Sequence, residues 1–399
     1  MKKNIKNNVY WVGKVDWDLQ KFHGDELSTH KGSTYNSYLI QEEKTVLIDT
    51  VWAPFAEEFV NNLAKEIDLN KIDFIIANHG EADHSGALPE LMRHIPDTPI
   101  YCSENAVKSL RGQYHQDWNF KPVKTGDSID IGNGKKLVFV EMRMLHWPDS
   151  MAAYLTEDNI LFSNDAFGQH YATDMLFNDL VDHCALFEES IKYYANILTP
   201  FSPILRKKLD EIIAMNLQID MIATSHGVIW RDKPMQIVEK YAKWADDYQE
   251  NQITIVYDTM WNGTKELAER IAEGIQTEDR EVVVKTFSLA KKDMNDIVTE
   301  IFKSKTVVIG SPTMGNNILH SVAGLISYLK SMKFKKKKTA AFGCYGWSGE
   351  SVKLINEQMS DAGFELIGEG MKCLWNPDED SKKAAIEFGK QIADLSLKF

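Results

Sequence analysis

Six consecutive residues, His79-Gly80-Glu81-Ala82-Asp83-His84, place two imidazoles and two carboxylates within one short stretch. A polar turn that caps a helix would account for any one of them. Four potential ligands together point instead to a catalytic metal site. Mixed nitrogen and oxygen donors suit iron or manganese at least as well as zinc, and the all-thiolate pattern of a structural zinc site is absent. The apolar run from Phe74 to Ala77 predicts a buried strand and residues 86–94 predict a helix, so the ligands fall on a strand-to-helix loop.

Further ligand types recur at the ends of predicted strands. Residues 135–145 (KKLVFVEMRML) read as a strand that delivers His146, and NILF (159–162) as one that leads to Asp165. A strand over 220–224 leads to His226. His23, in KFHGDE, lies in a loop between strand-like segments.

These groups need a scaffold. From Tyr10 to Asp49 short strand-like runs alternate with polar turns. Residues 54–67 carry apolar side chains at Phe55, Phe59, Leu63 and Ile67, a helix face. Helices broken at Thr199-Pro200 and Ser202-Pro203 fill 186–213. Alternation of strands and helices on this scale indicates a layered α/β domain. The sequence then turns polar (ADDYQEN) and a fresh strand, QITIVY, begins at Gln252, so 1–250 and 251–399 read as two domains, consistent with a length of 399 residues.

The second domain offers an anion cradle. After QITIVY come Thr259, Met260, Trp261, Asn262, Gly263 and Thr264 at a helix start, where free backbone N–H groups and the helix dipole converge. Two more loops follow buried-type strands: Ser311, Pro312, Thr313, Met314, Gly315 and Asn316 after TVVIG, and Tyr345, Gly346, Trp347 and Gly349 after TAAFG. A doubly wound sheet binds ligands at those carboxyl ends. Neither the Walker lysine pattern nor Gly-x-Gly-x-x-Gly is present, so an NTPase or Rossmann dinucleotide site is unsupported. The first loop resembles that of flavodoxin, with Trp261 and Asn262 where Thr and Gly are common, and Tyr345 or Trp347 could stack on a flavin ring. The lysines at 335–338 precede a strand, at the opposite end of the sheet, and read as a solvated edge.

Taken together, His79-x-Glu81-x-Asp83-His84, His146, Asp165 and His226 resemble the metal set of the metallo-β-lactamase fold in the variant belonging to the flavodiiron proteins. The surrounding stretches LHWPDSM, SNDAFGQH and TSHGVIWR share that resemblance. Hydrolases of the fold usually carry a histidine where this chain has Glu81, and a hard carboxylate oxygen shifts preference toward iron. The resemblance implies an N-terminal metallo-β-lactamase-like αββα sandwich and a C-terminal flavodoxin-like doubly wound parallel sheet, in the compact form without a rubredoxin extension. It assigns His79, Glu81 and His146 to one iron, Asp83, His84 and His226 to the other, and Asp165 to the bridge, with His84 either completing the ligand set of the second iron or leaving its place to solvent. His23 and Tyr193 match positions beside the site. Two irons and FMN are the implied cofactors. Reduction of dioxygen to water, of nitric oxide to nitrous oxide, or both is the implied activity, with electrons from a donor such as rubredoxin and a head-to-tail homodimer or dimer of dimers as the assembly.

A binuclear zinc hydrolase with a flavodoxin-like regulatory domain is the competing class, and a non-catalytic electron carrier a third. Composition narrows the setting. A net charge of −13 disfavours nucleic acid as a partner. No apolar stretch approaches the roughly 18 residues that span a bilayer, and the start lacks a signal-peptide core, so a cytoplasmic protein is expected. Four scattered cysteines argue against disulfides.

Overall fold

The computed structural model describes residues 2–397. The chain divides into two compact units, Met1–Tyr194 with Phe201–Lys243, and Ala195–Pro200 with Trp244–Phe399. The polar stretch before the expected boundary at 250/251 packs with the second unit: the Tyr248 ring lies 5.6 Å from that of Phe302.

In the first unit a seven-stranded sheet runs in the order Lys3–Lys6, Val9–Trp11, Tyr38–Gln41, Thr45–Ile48, Ile72–Ala77, Ile100–Ser103 and Phe120–Val123. A five-stranded sheet runs from Ser128–Gly132 through Lys135–Glu141, Met151–Leu155 and Ile160–Asn164 to Met221–Thr224. Their inner faces share one core, in which Tyr38, Ile40, Val46 and Phe74 meet Leu137, Phe139, Ala153 and Phe162. Helices such as Ala56–Glu66 bury one apolar stripe, here Phe59, Val60 and Leu63. The unit is thus a two-sheet sandwich flanked by helices.

The second unit is a parallel sheet in the order Val283–Ser288, Gln252–Tyr257, Thr306–Gly310 and Lys338–Tyr345, with Glu365–Leu366 and Met371–Leu374 both paired to the last. Strand order reverses beside Gln252–Tyr257, which opens the crevice where such sheets bind ligands. Among the described residues no helix is long and apolar enough to cross a membrane.

Three local expectations are corrected. The ligand stretch is not all loop: Ala82–Ser85 is a short helix, with the backbone N–H groups of His84 and Ser85 donating to Glu81 O. The chain breaks at Gly86, and a second helix, Leu88–His94, starts with proline in its first turn. The strand before His146 ends at Glu141, not Leu145. Met142 and Leu145 are apolar because they are buried under a turn, closed by Met144 N–H donating to Trp147 O, and not because the strand continues. Of the lysines at 335–338, Lys337 and Lys338 are buried. Lys337 Nζ donates to the carbonyls of Phe302 and Ser304 at 2.8 and 2.7 Å, so half of the presumed solvated edge is an internal tie.

Candidate functional site

Sequence-distant residues converge on one buried cluster in the first unit. Ligand atoms of His79, Glu81, His146 and Asp165 lie within 4.8 Å of one another, and so do those of Asp83, His84 and His226. Asp165 joins the two groups. Its Oδ2 lies 3.5 Å from both His79 Nε2 and His146 Nε2, while its Oδ1 lies 3.0 Å from His84 Nε2 and 3.6 Å from His226 Nε2. His226 Nε2 is also 3.0 Å from Asp83 Oδ2. Buried polar atoms are normally satisfied, yet Asp83 Oδ1, Asp165 Oδ2 and His84 Nε2 have no hydrogen-bond partner. His84 Nε2 is close to two carboxylates without being aligned to either, as expected of donors that face a shared centre. The set fits two metal ions bridged by Asp165.

The imidazoles are aimed from behind. His79 Nδ1 is 2.9 Å from Asp149 Oδ1, whose other oxygen accepts from Gly80 N–H at 3.1 Å. A Cβ at Gly80 would sit 2.6 Å from that oxygen, so only glycine lets the carboxylate close in. His226 Nδ1 donates to Thr34 O at 2.6 Å. Buried Asp49 accepts from Asn78 N–H and its side-chain amide and pins the end of the strand that leads into the ligands. Such supports fix tautomer and orientation. Sequence reasoning missed Asp49, Asp149 and Thr34, because a partner from another strand leaves no local pattern; Asp149 did lie within the LHWPDSM stretch.

The electrostatics of the set favour positive charge among its carboxylates. Burial alone would lower the His79 imidazole, but Asp149 and Glu81 outweigh it and hold it well above its usual value. Burial is likewise overcome at His84 by Asp83 and Asp165, and at His146 by Asp165 and Glu81, holding both up at about 9. Against burial, neighbouring imidazoles hold Glu81 and Asp165 far below the usual carboxylate range, His146 first for Glu81 and His84 first for Asp165. Protons held this way are the ones metal ions displace.

The two predicted neighbours are placed differently. His23 lies with its Nε2 3.0 Å from Glu81 Oε1, braced against a candidate ligand. Tyr193 is buried, its ring 5.2 Å from His170 and 6.4 Å from His226. Burial, then the Asp165 charge, hold its hydroxyl well above the usual range, so it stays protonated.

In the second unit the three loops enclose a cavity of about 300 Å³. Twelve of the predicted residues line it, from Thr259, Met260, Trp261, Gly263 and Thr264 through Pro312, Thr313, Gly315 and Asn316 to Tyr345, Gly346 and Trp347. Four do not. Ser311 is buried, its hydroxyl accepting from Leu319 N–H and donating to Pro312 O. Asn262 supplies the left-handed turn that starts the helix Gly263–Glu278. Met314 closes its own turn by pairing with Asn317, and Gly349, at φ +87°, packs on the Tyr345 ring. Cys344, Ser348, Trp375 and Asn376 line the cavity unanticipated in that role, the last two from beyond the final strand. The Cys344 thiol is pushed up to about 12 by burial and then by Cys373, its in-register neighbour, so it packs as a thiol. Thr264 Oγ1, buried at the helix start, has no partner. A Cβ at Gly263 would sit 3.0 Å from Cys344 Sγ, so glycine keeps the loop tight against the strand. An unpaired hydroxyl and free N–H groups at a helix N-terminus fit a phosphate, and Trp347, 86% exposed, and Trp261, 85% exposed, fit the edge of a planar ring.

Comparison with known proteins agrees unit by unit. Residues 34–227 match the ODP family beta lactamase and residues 255–389 match flavodoxin. The anaerobic nitric oxide reductase flavorubredoxin of Escherichia coli K12 is 56% identical over 390 residues, covering 98% of this chain and 81% of the relative. The chain belongs to the flavodiiron protein family. Rubredoxin oxygen:oxidoreductase from Desulfovibrio gigas has the same structure with a TM-score of 0.96 at 34% identity, each chain covered completely. The flavodiiron protein from Giardia intestinalis follows at 0.95 and 31%, covering 100% of this chain and 97% of that one. This flavodiiron protein is therefore an oxidoreductase of mixed α/β fold, with a diiron centre and FMN as the cofactors of its family.

Proposed function

We propose that the protein reduces nitric oxide to nitrous oxide, dioxygen to water, or both, at a diiron site, with electrons relayed through FMN from an external donor such as rubredoxin. The observation that carries this reading is the Asp165 carboxylate, whose two oxygens face two separate donor groups. The 56% identity to a nitric oxide reductase favours nitric oxide as the first substrate to test.

On this reading His79, Glu81 and His146 would hold one iron, Asp83, His84 and His226 the other, and Asp165 would serve both. The cavity would hold FMN, with Gly263 and Thr264 receiving its phosphate. When bound, the iron pair and flavin supply the several electrons such a reduction needs. The chain's own groups set the stage: Asp149 and the Thr34 carbonyl fix the rings of His79 and His226, and His23 holds the outer oxygen of Glu81. Tyr193 keeps its proton at neutral pH. The buried walls exclude bulk water. Residues 1–250 and 251–399 act as metal and flavin domains of a cytoplasmic head-to-tail homodimer or dimer of dimers.

Metal and flavin analysis, then anaerobic reduction and stopped-flow mixing with each gas, tests the proposal. Two irons and one FMN per chain, with flavin oxidation by at least one gas, are expected. Zinc in place of iron overturns it in favour of the hydrolase class, and no flavin oxidation by either gas overturns it as well.

A further inference from the structure

His170 takes no part in the ligand set, yet it is built into the same enclosure. It is buried, with ring centroids 4.9 Å from Phe22, 5.2 Å from Tyr193 and 4.9 Å from His226. Its Nδ1 lies 2.8 Å from Ser33 Oγ, while the neighbouring ring of His226 is anchored through its own Nδ1 on Thr34 O. Two imidazoles thus hang side by side from consecutive residues of the strand Ser33–Tyr35, each by the same ring atom. The opposite nitrogen of His226 reaches Asp83 and Asp165. The opposite nitrogen of His170 is buried and has no hydrogen-bond partner. A buried ring nitrogen left unsatisfied is destabilising. A structural histidine would not keep one open at the edge of a metal cluster.

We propose that His170 is a binding residue of the site: its Nε2–H donates a hydrogen bond to the small exogenous ligand held beside Asp83, His84 and His226. The Ser33 hydroxyl lies 2.8 Å from His170 Nδ1 and 3.3 Å from Thr34 O. In the proposed tautomer Ser33 donates to Nδ1 and the ring proton lies on Nε2, and the azide isotope shift below reads it out. The ligand class is a diatomic or small anion with a lone pair free for that donor. The rings of Phe22 and Tyr193, 4.9 and 5.2 Å from that of His170, pack beside it. This inference rests on the diiron reading above.

The probe is azide, added to the oxidised, iron-loaded holoenzyme and to its His170→Leu and His170→Gln variants. Metal and FMN content is measured alongside. His170→Leu is expected to keep both irons and the flavin while binding azide about tenfold more weakly, the loss equivalent to one hydrogen bond. The azide stretching band should shift in D2O for the wild type, not for His170→Leu, and His170→Gln should recover part of both the shift and the affinity. Unchanged affinity and an unchanged isotope shift in His170→Leu would overturn the proposal, and so would loss of iron, which would make His170 a metal-holding residue. Should His170→Leu fail to fold, His170→Gln decides alone: a band and isotope shift identical to wild type overturns it, a displaced band supports it. Wild-type protein that holds zinc or no metal overturns the diiron reading itself and this proposal with it, an outcome visible before any variant is compared.

Discussion

Glu81 concentrates the chemistry of the site at one carboxylate. Three imidazoles lie within hydrogen-bond distance of it, His23 at 3.0 Å and His79 and His146 at 3.2 Å. An oxygen donor at this place in a nitrogen-rich set biases the centre toward iron. Glu81→His should therefore raise the zinc-to-iron ratio in isolated protein, read by elemental analysis, and slow gas-driven flavin oxidation by at least roughly tenfold. Behind the cluster, Asp149→Ala leaves the ligands in place but frees the His79 ring, so iron affinity should fall by about 10–100-fold in an anaerobic chelator competition. The pH dependence follows from the same groups. With His84 and His146 held up at about 9 in the metal-free site, both carry protons at neutral pH that iron must displace. Lowering pH strengthens the competing protons, so ferrous affinity should weaken steadily from pH 9 to pH 6; an affinity that rises on acidification would contradict this account.

At the level of elements, both sites sit where strands end, and that is what made them legible. Short apolar strands followed by polar ligand residues announce themselves by the switch in composition, which is why Asp165 and His226 could be placed. His146 was placed at the wrong distance from its strand, because Met142 and Leu145 are buried by the turn they belong to and mimic a longer strand. Lys337 and Lys338 were misplaced for the converse reason: four consecutive lysines look solvated, and only the fold shows that two of them meet carbonyls. Supports such as Asp149, Thr34 and Ser33 come from other elements and leave no periodic trace. Asp49, likewise, looks like any strand-end acid. The helix Gly263–Glu278 allows a test at this scale. Thr264 Oγ1 makes no contact beyond its approach to the Cys344 thiol, so Thr264→Val should leave the fold intact. FMN should bind about 10–100-fold more weakly for loss of a hydrogen bond to a charged group. Riboflavin, which has no phosphate, should bind as before. Equal losses for both flavins in a quenching titration would place the phosphate elsewhere.

For the whole molecule the question is how two centres with separate cores cooperate. The first unit's core lies between its two sheets, and the second unit's core is built from Ile253, Ile255, Leu267, Ile271 and Phe342 around its own parallel sheet. Each cofactor should then stabilise its own unit by mass action. Removing iron should lower one calorimetric transition and removing FMN the other; a single transition shifted equally by both would show one cooperative unit. A proposed head-to-tail homodimer in which the flavin of one copy serves the iron pair of the other makes a sharper demand. Glu81→Ala keeps the flavin site and disables the metal site. Thr264→Asp sets a like charge against the phosphate and disables the flavin site while sparing the metal. Each alone should be inactive. When the two are unfolded, mixed and refolded together, about half of the dimers carry one of each, and each mixed dimer has one of its two relays intact, so about a quarter of wild-type turnover should return. A relay that runs within a single chain gives no recovery, because no copy holds both centres.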